Sequence, residues 1–169
     1  RDPADGLVPL VEGGPGTQSR SLAQPEDSPE RYESGTLNVP GIAGLEAGLL
    51  FVRRQGPQAL CQKELALLAR LHRQLAGLPG VELYTEEPRA PYFLPVLSFN
   101  LRGMESEVVG ERLGQAGIAV RCGLHCAPLA HQKLGTQQGT VRVSPSAFTR
   151  REEIDALARQ VGRLCREKV

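Results

Sequence analysis

The sequence has no tryptophan, a single methionine, and only three lysines, Lys63, Lys133 and Lys168, among its 20 cationic residues. So few lysines leave little choice for any chemistry that needs a side-chain amine as a Schiff base. There is no apolar run near the roughly 18 residues that a membrane span requires, so no spanning helix is expected. Charge is balanced as well: 20 Lys and Arg against 19 Asp and Glu leave +1. No basic stripe rises above this mixed-sign background, and polynucleotide binding is not expected. The chain opens on Arg1 rather than Met and shows no charged leader with an apolar core and cleavage site. We read this start as processing or as a piece of a longer protein, without a secretion signal and with a cytoplasmic location. Internal repeats are absent. What is present is 169 residues with 40% hydrophobic content, enough for one ordinary domain with a core.

Residues 1–40 are loop-dominated. They hold Pro3, Pro9, Pro15, Pro25, Pro29 and Pro40, several glycines, and one strand candidate at 7–11. From Pro40 the pattern changes, because Ile42, Leu45, Leu49 and Val52 recur at helical steps and predict a helix over about 40–54. Gly56 and Pro57 interrupt it. Leu60, Leu65, Leu67, Leu68, Leu71 and Leu75 then predict a longer helix ending near Gly77 and Pro79. Strands are expected at 81–84, 94–99, 118–121 and 140–144, and helices at about 105–116 and 128–134. Thr149 with Glu152 three residues on predicts a capping box for a final helix, which carries Ile154, Leu157, Ala158, Val161 and Leu164. The pattern is an α/β layer of about four short strands under several helices.

Of the four cysteines, Cys61 and Cys165 fall beside leucines on helix faces and read as packing residues, and thiols rather than disulfides are expected. Cys122 and Cys126 differ, because the run Arg121-Cys122-Gly123-Leu124-His125-Cys126-Ala127-Pro128 is a Gly- and Pro-marked loop directly after a strand. A thiol becomes nucleophilic where nearby positive charge favours its thiolate, and Arg121 and His125 are close to Cys126 in sequence. Cys126 is therefore the candidate nucleophile, against the alternative of an inert buried loop cysteine. Cys122, His125, Cys126 and His131 could also be read as a zinc set, but four ligands crowded into ten residues depart from separated knuckles, and no metal is expected. Arg142 interrupts an apolar strand. Its fork suits a carboxylate, with an ion pair to Glu153 or Asp155 as the plainer alternative on these residues alone. The Gly-rich stretch at 13–19 could cradle a phosphate but completes no known phosphate-binding pattern and reads as a turn.

Three ordered segments carry a resemblance. They are Arg31-Tyr32-Glu33-Ser34-Gly35-Thr36-Leu37-Asn38 leading into Gly41-Ile42-Ala43-Gly44-Leu45, the cysteine loop at 119–127, and Gly139-Thr140-Val141-Arg142-Val143-Ser144 before a Glu-Glu-Ile-Asp helix. Together they resemble the cysteine desulfurases, pyridoxal-phosphate enzymes of the class V aminotransferase group, and in particular the sulfur-mobilisation branch with a compact cysteine loop. The resemblance runs from about Leu10 to the C-terminus. It implies the small C-terminal α/β domain of a fold-type I pyridoxal-phosphate transferase at 57–169, a linking helix at 41–56, and the loop-rich end of the large cofactor domain at 1–40. It also implies that Cys126 takes sulfur from L-cysteine as a persulfide, leaving alanine, and passes it to an acceptor protein, as in iron–sulfur cluster assembly. Arg142 would grip the substrate carboxylate. Thr36 would reach the cofactor phosphate of a partner subunit in a homodimer, with Asn38 in the same loop, while Arg121 and His125 would support the cysteine loop. The 13–19 stretch resembles a Gly-Gly-Thr-Gly-Ser segment of the family, from which Pro15 and Thr17 depart. No lysine stands in the His-Lys context that forms the Schiff base, so this portion is expected to be inactive alone. The alternatives are a selenocysteine lyase or other class V lyase, or a stand-alone, non-catalytic sulfur-carrier or interaction domain.

Overall fold

The computed structural model describes residues 6–14, 18 and 20–167. They fall into two compact units, Arg1–Arg54 and Gln55–Val169.

The first unit is mostly loop. Residues 7–11 form no strand; instead the Leu7 carbonyl accepts from Arg31 Nη2 at 3.2 Å and from the Tyr32 hydroxyl at 3.4 Å. Among the described residues no second strand pairs with this run, and the Leu7 carbonyl takes side-chain donors instead. A single 3₁₀ turn, Glu30–Tyr32, precedes helix α1, Val39–Gln55. Asn38 Oδ1 accepts from the Gly41 N–H at 3.0 Å and so caps this helix. No residue of α1 is buried, and its stripe of Ile42, Leu45, Leu49 and Val52 is exposed.

The second unit is built from α2 (Pro57–Ala76), β1 (Val81–Leu83), β2 (Leu97–Leu101), α3 (Ser106–Gln115), α4 (Pro128–Leu134), β3 (Val141–Val143) and α5 (Arg151–Arg166). The strands form one antiparallel sheet in the order β1-β2-β3, with Leu83 opposite Phe99 and Ser98 opposite Arg142. Alternation along β2 sends Leu97, Phe99 and Leu101 inward, and β3 adds Val141 and Val143. Against them pack Leu68, Leu71 and Leu75 of α2, Val109 and Leu113 of α3, and Ile154, Leu157, Val161 and Leu164 of α5. Ser98, Asn100 and Arg142 occupy the opposite, half-buried face.

The expected strand at 118–121 contracts to one antiparallel bridge, Arg121 to Arg142. The chain leaves α3 through Gly117 at φ +76° and turns again at Gly123, which leaves room for one paired residue. The cap of α5 also lies one residue later than expected. Arg150 is the N-cap, and Glu153 accepts from its N–H at 2.7 Å. Thr149 is committed elsewhere, its hydroxyl accepting from the Ser146 N–H at 2.9 Å. Between α2 and α5, Asp155 receives a fork from Arg70 at 2.7 and 2.9 Å and a third bond from Gln74 at 2.8 Å. Among the described residues no helix is long and apolar enough to cross a membrane.

Candidate active site

The cysteine loop is fastened at its start to the strand that carries Arg142 and to the residue just before that strand. Arg121 N–H donates to the Arg142 carbonyl at 3.1 Å, and Arg142 N–H donates to the Arg121 carbonyl at 2.7 Å. Two residues later Thr140 N–H donates to the Gly123 carbonyl at 3.1 Å. Gly139, at φ +82°, lies so close to Gly123 that a Cβ there would stand 2.6 Å from the Gly123 Cα. Asn100 fixes this corner from below, donating from Nδ2 to the Gly139 carbonyl and to the Tyr84 hydroxyl, each at 3.0 Å. The Ala127 N–H donates to the Leu124 carbonyl at 2.9 Å and closes the turn over His125 and Cys126.

Within this turn the two cysteines have opposite environments. Cys126 is exposed, with Arg121 Nη2 4.0 Å from its sulfur. Cys122 is half-buried and seated on α3, where a Cβ at Gly110 would stand 2.1 Å from its Sγ. Burial, and then the negative charge of Glu107, push the Cys122 thiol above its ordinary range. Of the two, the exposed Cys126 sulfur is the one open to an incoming molecule. Cys122 stays protonated and packed.

His125 is half-buried, and its Nε2 lies 3.1 Å from the Thr140 carbonyl and 3.2 Å from its hydroxyl. A carbonyl only accepts, so Nε2 carries the proton and Nδ1 is the bare nitrogen, enclosed without a partner. Burial, and then the charge of Arg142, hold this imidazole below its ordinary pKa. It is therefore neutral near pH 7 and lends Cys126 no positive charge, unlike the sequence expectation that both Arg121 and His125 would do so. His131 is buried, bonded through Nδ1 to the Thr136 carbonyl and hydroxyl at 3.1 and 2.9 Å, and its ring centre is 5.6 Å from that of His125. Among the described residues no group of three or more His, Cys, Asp or Glu side chains is arranged to hold a metal ion.

Arg142 makes no ion pair among the described residues. Its plainer partners are engaged elsewhere, Asp155 with Arg70 and Glu153 with Arg150. Its Nε is buried without a hydrogen-bond partner. Residues directly opposite one another in an antiparallel bridge project from the same face, so Ser98, Arg142 and Arg121 form a row across the sheet. Two guanidiniums on adjacent positions repel unless an anion lies between or beside them. The row therefore sets two cationic side chains side by side, one of them next to the exposed sulfur of Cys126.

Thr36 and Asn38 belong to the other unit. Thr36 is exposed, with no bond from its hydroxyl to a described residue, while the Asn38 carbonyl oxygen is engaged in capping α1. Of the 13–19 stretch, Pro15, Gly16, Thr17 and Ser19 lie outside the described residues, as does Lys168. Gly13 N–H donates to Gln24 Oε1 at 3.2 Å. Lys63 donates to the Ala147 carbonyl, and Lys133 lies exposed on α4. The row across the sheet is the feature that the sequence did not disclose. Its signal was the polar alternation of Ser98 and Asn100 within an apolar strand, legible only once strand order is known.

The model of the class-V aminotransferase family matches residues 2–157. A probable cysteine desulfurase of Mycolicibacterium paratuberculosis is 41% identical over 149 residues, covering 88% of this chain and 21% of the relative. A cysteine desulfurase of Synechococcus elongatus is 35% identical over 164 residues, covering 95% of this chain and 25% of the relative. The solved apo structure of a cysteine desulfurase from Thermococcus onnurineus NA1 superposes with a TM-score of 0.80 at 33% identity, over 94% of this chain and 40% of that one. The chain thus spans about a fifth to a quarter of the length of these two curated relatives.

Proposed function

The chain belongs to the class-V aminotransferase family, and from that premise we propose that it forms the sulfur-handling part of a pyridoxal-phosphate-dependent cysteine desulfurase. The observation that carries this reading is the row that places Arg142, with its buried unpartnered Nε, beside the bridge residue whose guanidinium touches the exposed Cys126 sulfur. Arg142 holds the carboxylate of L-cysteine through charge-assisted hydrogen bonds, which fixes the direction from which the substrate sulfur approaches. Cys126, as thiolate, attacks that sulfur. A sulfur–sulfur bond forms while the substrate's carbon–sulfur bond breaks, and its electron pair stays with the carbon that is protonated to give alanine. Cys126 is left as a persulfide, from which an acceptor thiol takes the outer sulfur.

Pyridoxal phosphate, when bound, supplies the electron sink that makes that carbon–sulfur bond cleavable. The residues of this chain fit only its margin. The Thr36 hydroxyl has the chemistry of a phosphate contact, reaching from a partner subunit, with Asn38 as the cap that fixes the end of its loop. None of Lys63, Lys133 and Lys168 follows a histidine, and on this reading the Schiff-base lysine is contributed by a part of the protein outside these 169 residues. On this reading residues 1–40 end the large cofactor domain, 41–56 link the domains, 57–169 form the small domain, and the chain alone is inactive. Four cysteines outside disulfides fit the reducing cytoplasm.

In the intact protein Cys126→Ser should abolish sulfide release from L-cysteine while leaving the cofactor's absorbance in place, and Cys122→Ser should retain release. Loss with Cys122→Ser and not with Cys126→Ser would move the nucleophile to Cys122.

A further inference from the structure

His125 and Cys126 stand together at φ +51° and +58°, and among the described residues they alone hold positive φ without being glycine. Two successive left-handed residues with side chains are held by their surroundings and not by their own preference. The surroundings here are specific. Thr140, 2% exposed, receives the His125 Nε2–H on its carbonyl, and the same residue's N–H is bound to the Gly123 carbonyl. Its neighbour Gly139 is pressed on Gly123 and held by Asn100, so the anchor cannot shift alone. His131, 6% exposed and fixed by Thr136, stands 5.6 Å away with its ring tilted 44° to that of His125.

We infer that His125 is a positioning residue, whose Nε2–H bond to the Thr140 carbonyl holds the turn that presents Cys126 to solvent beside Arg121. The imidazole is unsuited to act on the thiol directly. Its protonated nitrogen is committed to Thr140, and its bare nitrogen is enclosed without a partner. The tether explains why the turn needs a side chain of this reach at 125: the carbonyl it must meet belongs to a residue 15 positions away. What the tether serves rests on the desulfurase reading; that it exists does not.

The test uses the intact protein with His125→Ala, His125→Asn and His125→Gln. Asparagine tolerates the left-handed backbone but is too short to reach Thr140, whereas glutamine carries its amide nitrogen about as far as Nε2. Alanine and asparagine should speed amide exchange at Ala127 and Thr140 by about tenfold or more, with exchange in α2 and α5 unchanged. They should lower kcat for sulfide release by about tenfold or more with KM for L-cysteine nearly unchanged, since Arg142 is untouched. Glutamine should restore most of both. Wild-type exchange and kcat in the asparagine variant would overturn the inference, and so would equal losses in all three variants accompanied by faster exchange in α2 and α5. If the wild-type protein releases no sulfide but the asparagine variant still exchanges faster at Ala127 and Thr140, the tether stands and the desulfurase reading falls.

Discussion

The two faces of the small sheet are made by alternate residues of the same strands, yet they do different work. On one face Leu97, Phe99, Leu101, Val141 and Val143 meet the leucines and valines of α2, α3 and α5. On the other, Ser98 and Arg142 face outward, the latter opposite Arg121, with one guanidinium nitrogen enclosed and unpartnered. The difference teaches where stability and chemistry are separable. An apolar face is improved by completeness, whereas a binding face keeps a polar group that only a ligand satisfies.

That separation can be broken from either side. Phe99→Ala should cost about 3–5 kcal/mol in urea unfolding, because a fully buried ring is lost from the middle of the core; a cost near zero would mean that this face is not the one that stabilises the unit. Arg142→Ala should leave the unfolding midpoint unchanged or slightly raised, since it removes an unsatisfied buried nitrogen. In the same variant KM for L-cysteine should rise about ten- to a hundredfold, the equivalent of a charge-assisted carboxylate contact of about 1.5–3 kcal/mol. A lowered midpoint with unchanged KM would return Arg142 to the structural side. The smallest effect belongs to the Arg70 and Asp155 pair behind the apolar face. Hydrogen bonds from Arg70, then from Gln74, hold the Asp155 carboxyl at about 2 against an ordinary 3.8. Its native pKa is the lower one, so the pair stabilises the fold above pH 3.8 and the contribution is lost as the pH falls towards 2. Acid unfolding of Asp155→Asn should show a shallower dependence over that window, and identical curves would remove the pair from the account.

Much of this was legible in the chain. Helix α4 spans the expected 128–134, and the leucine spacing of α2 and the apolar stripe of α5 need no tertiary information. Where expectation and structure part, a second partner intervened. Thr149 looked like the cap of α5, but its hydroxyl serves Ser146. Residues 118–121 have strand composition, but glycine turns on both sides leave one bridge. The apolar residues at 7–11 have no strand to join among the described residues. Within the site, the loop residues are contiguous and therefore visible, while the link from His125 to Thr140 and the row from Ser98 to Arg121 depend on strand order. The neutral state of His125 follows from burial and from a cation 17 positions away, neither of which local sequence reveals.

The contact between Gly123 and Gly139 also sets what this loop can inherit. With Gly139 set against the Gly123 backbone, position 139 has no room for a side chain unless the 123 segment withdraws, and withdrawal would cost the bond between Thr140 and Gly123. A single substitution at Gly139 therefore has no conservative form, alanine included. Descendants of this chain can vary Leu124 or Leu129 freely, both of which are exposed, but a longer or differently bent cysteine loop has to arrive together with a new corner at 139 and 140.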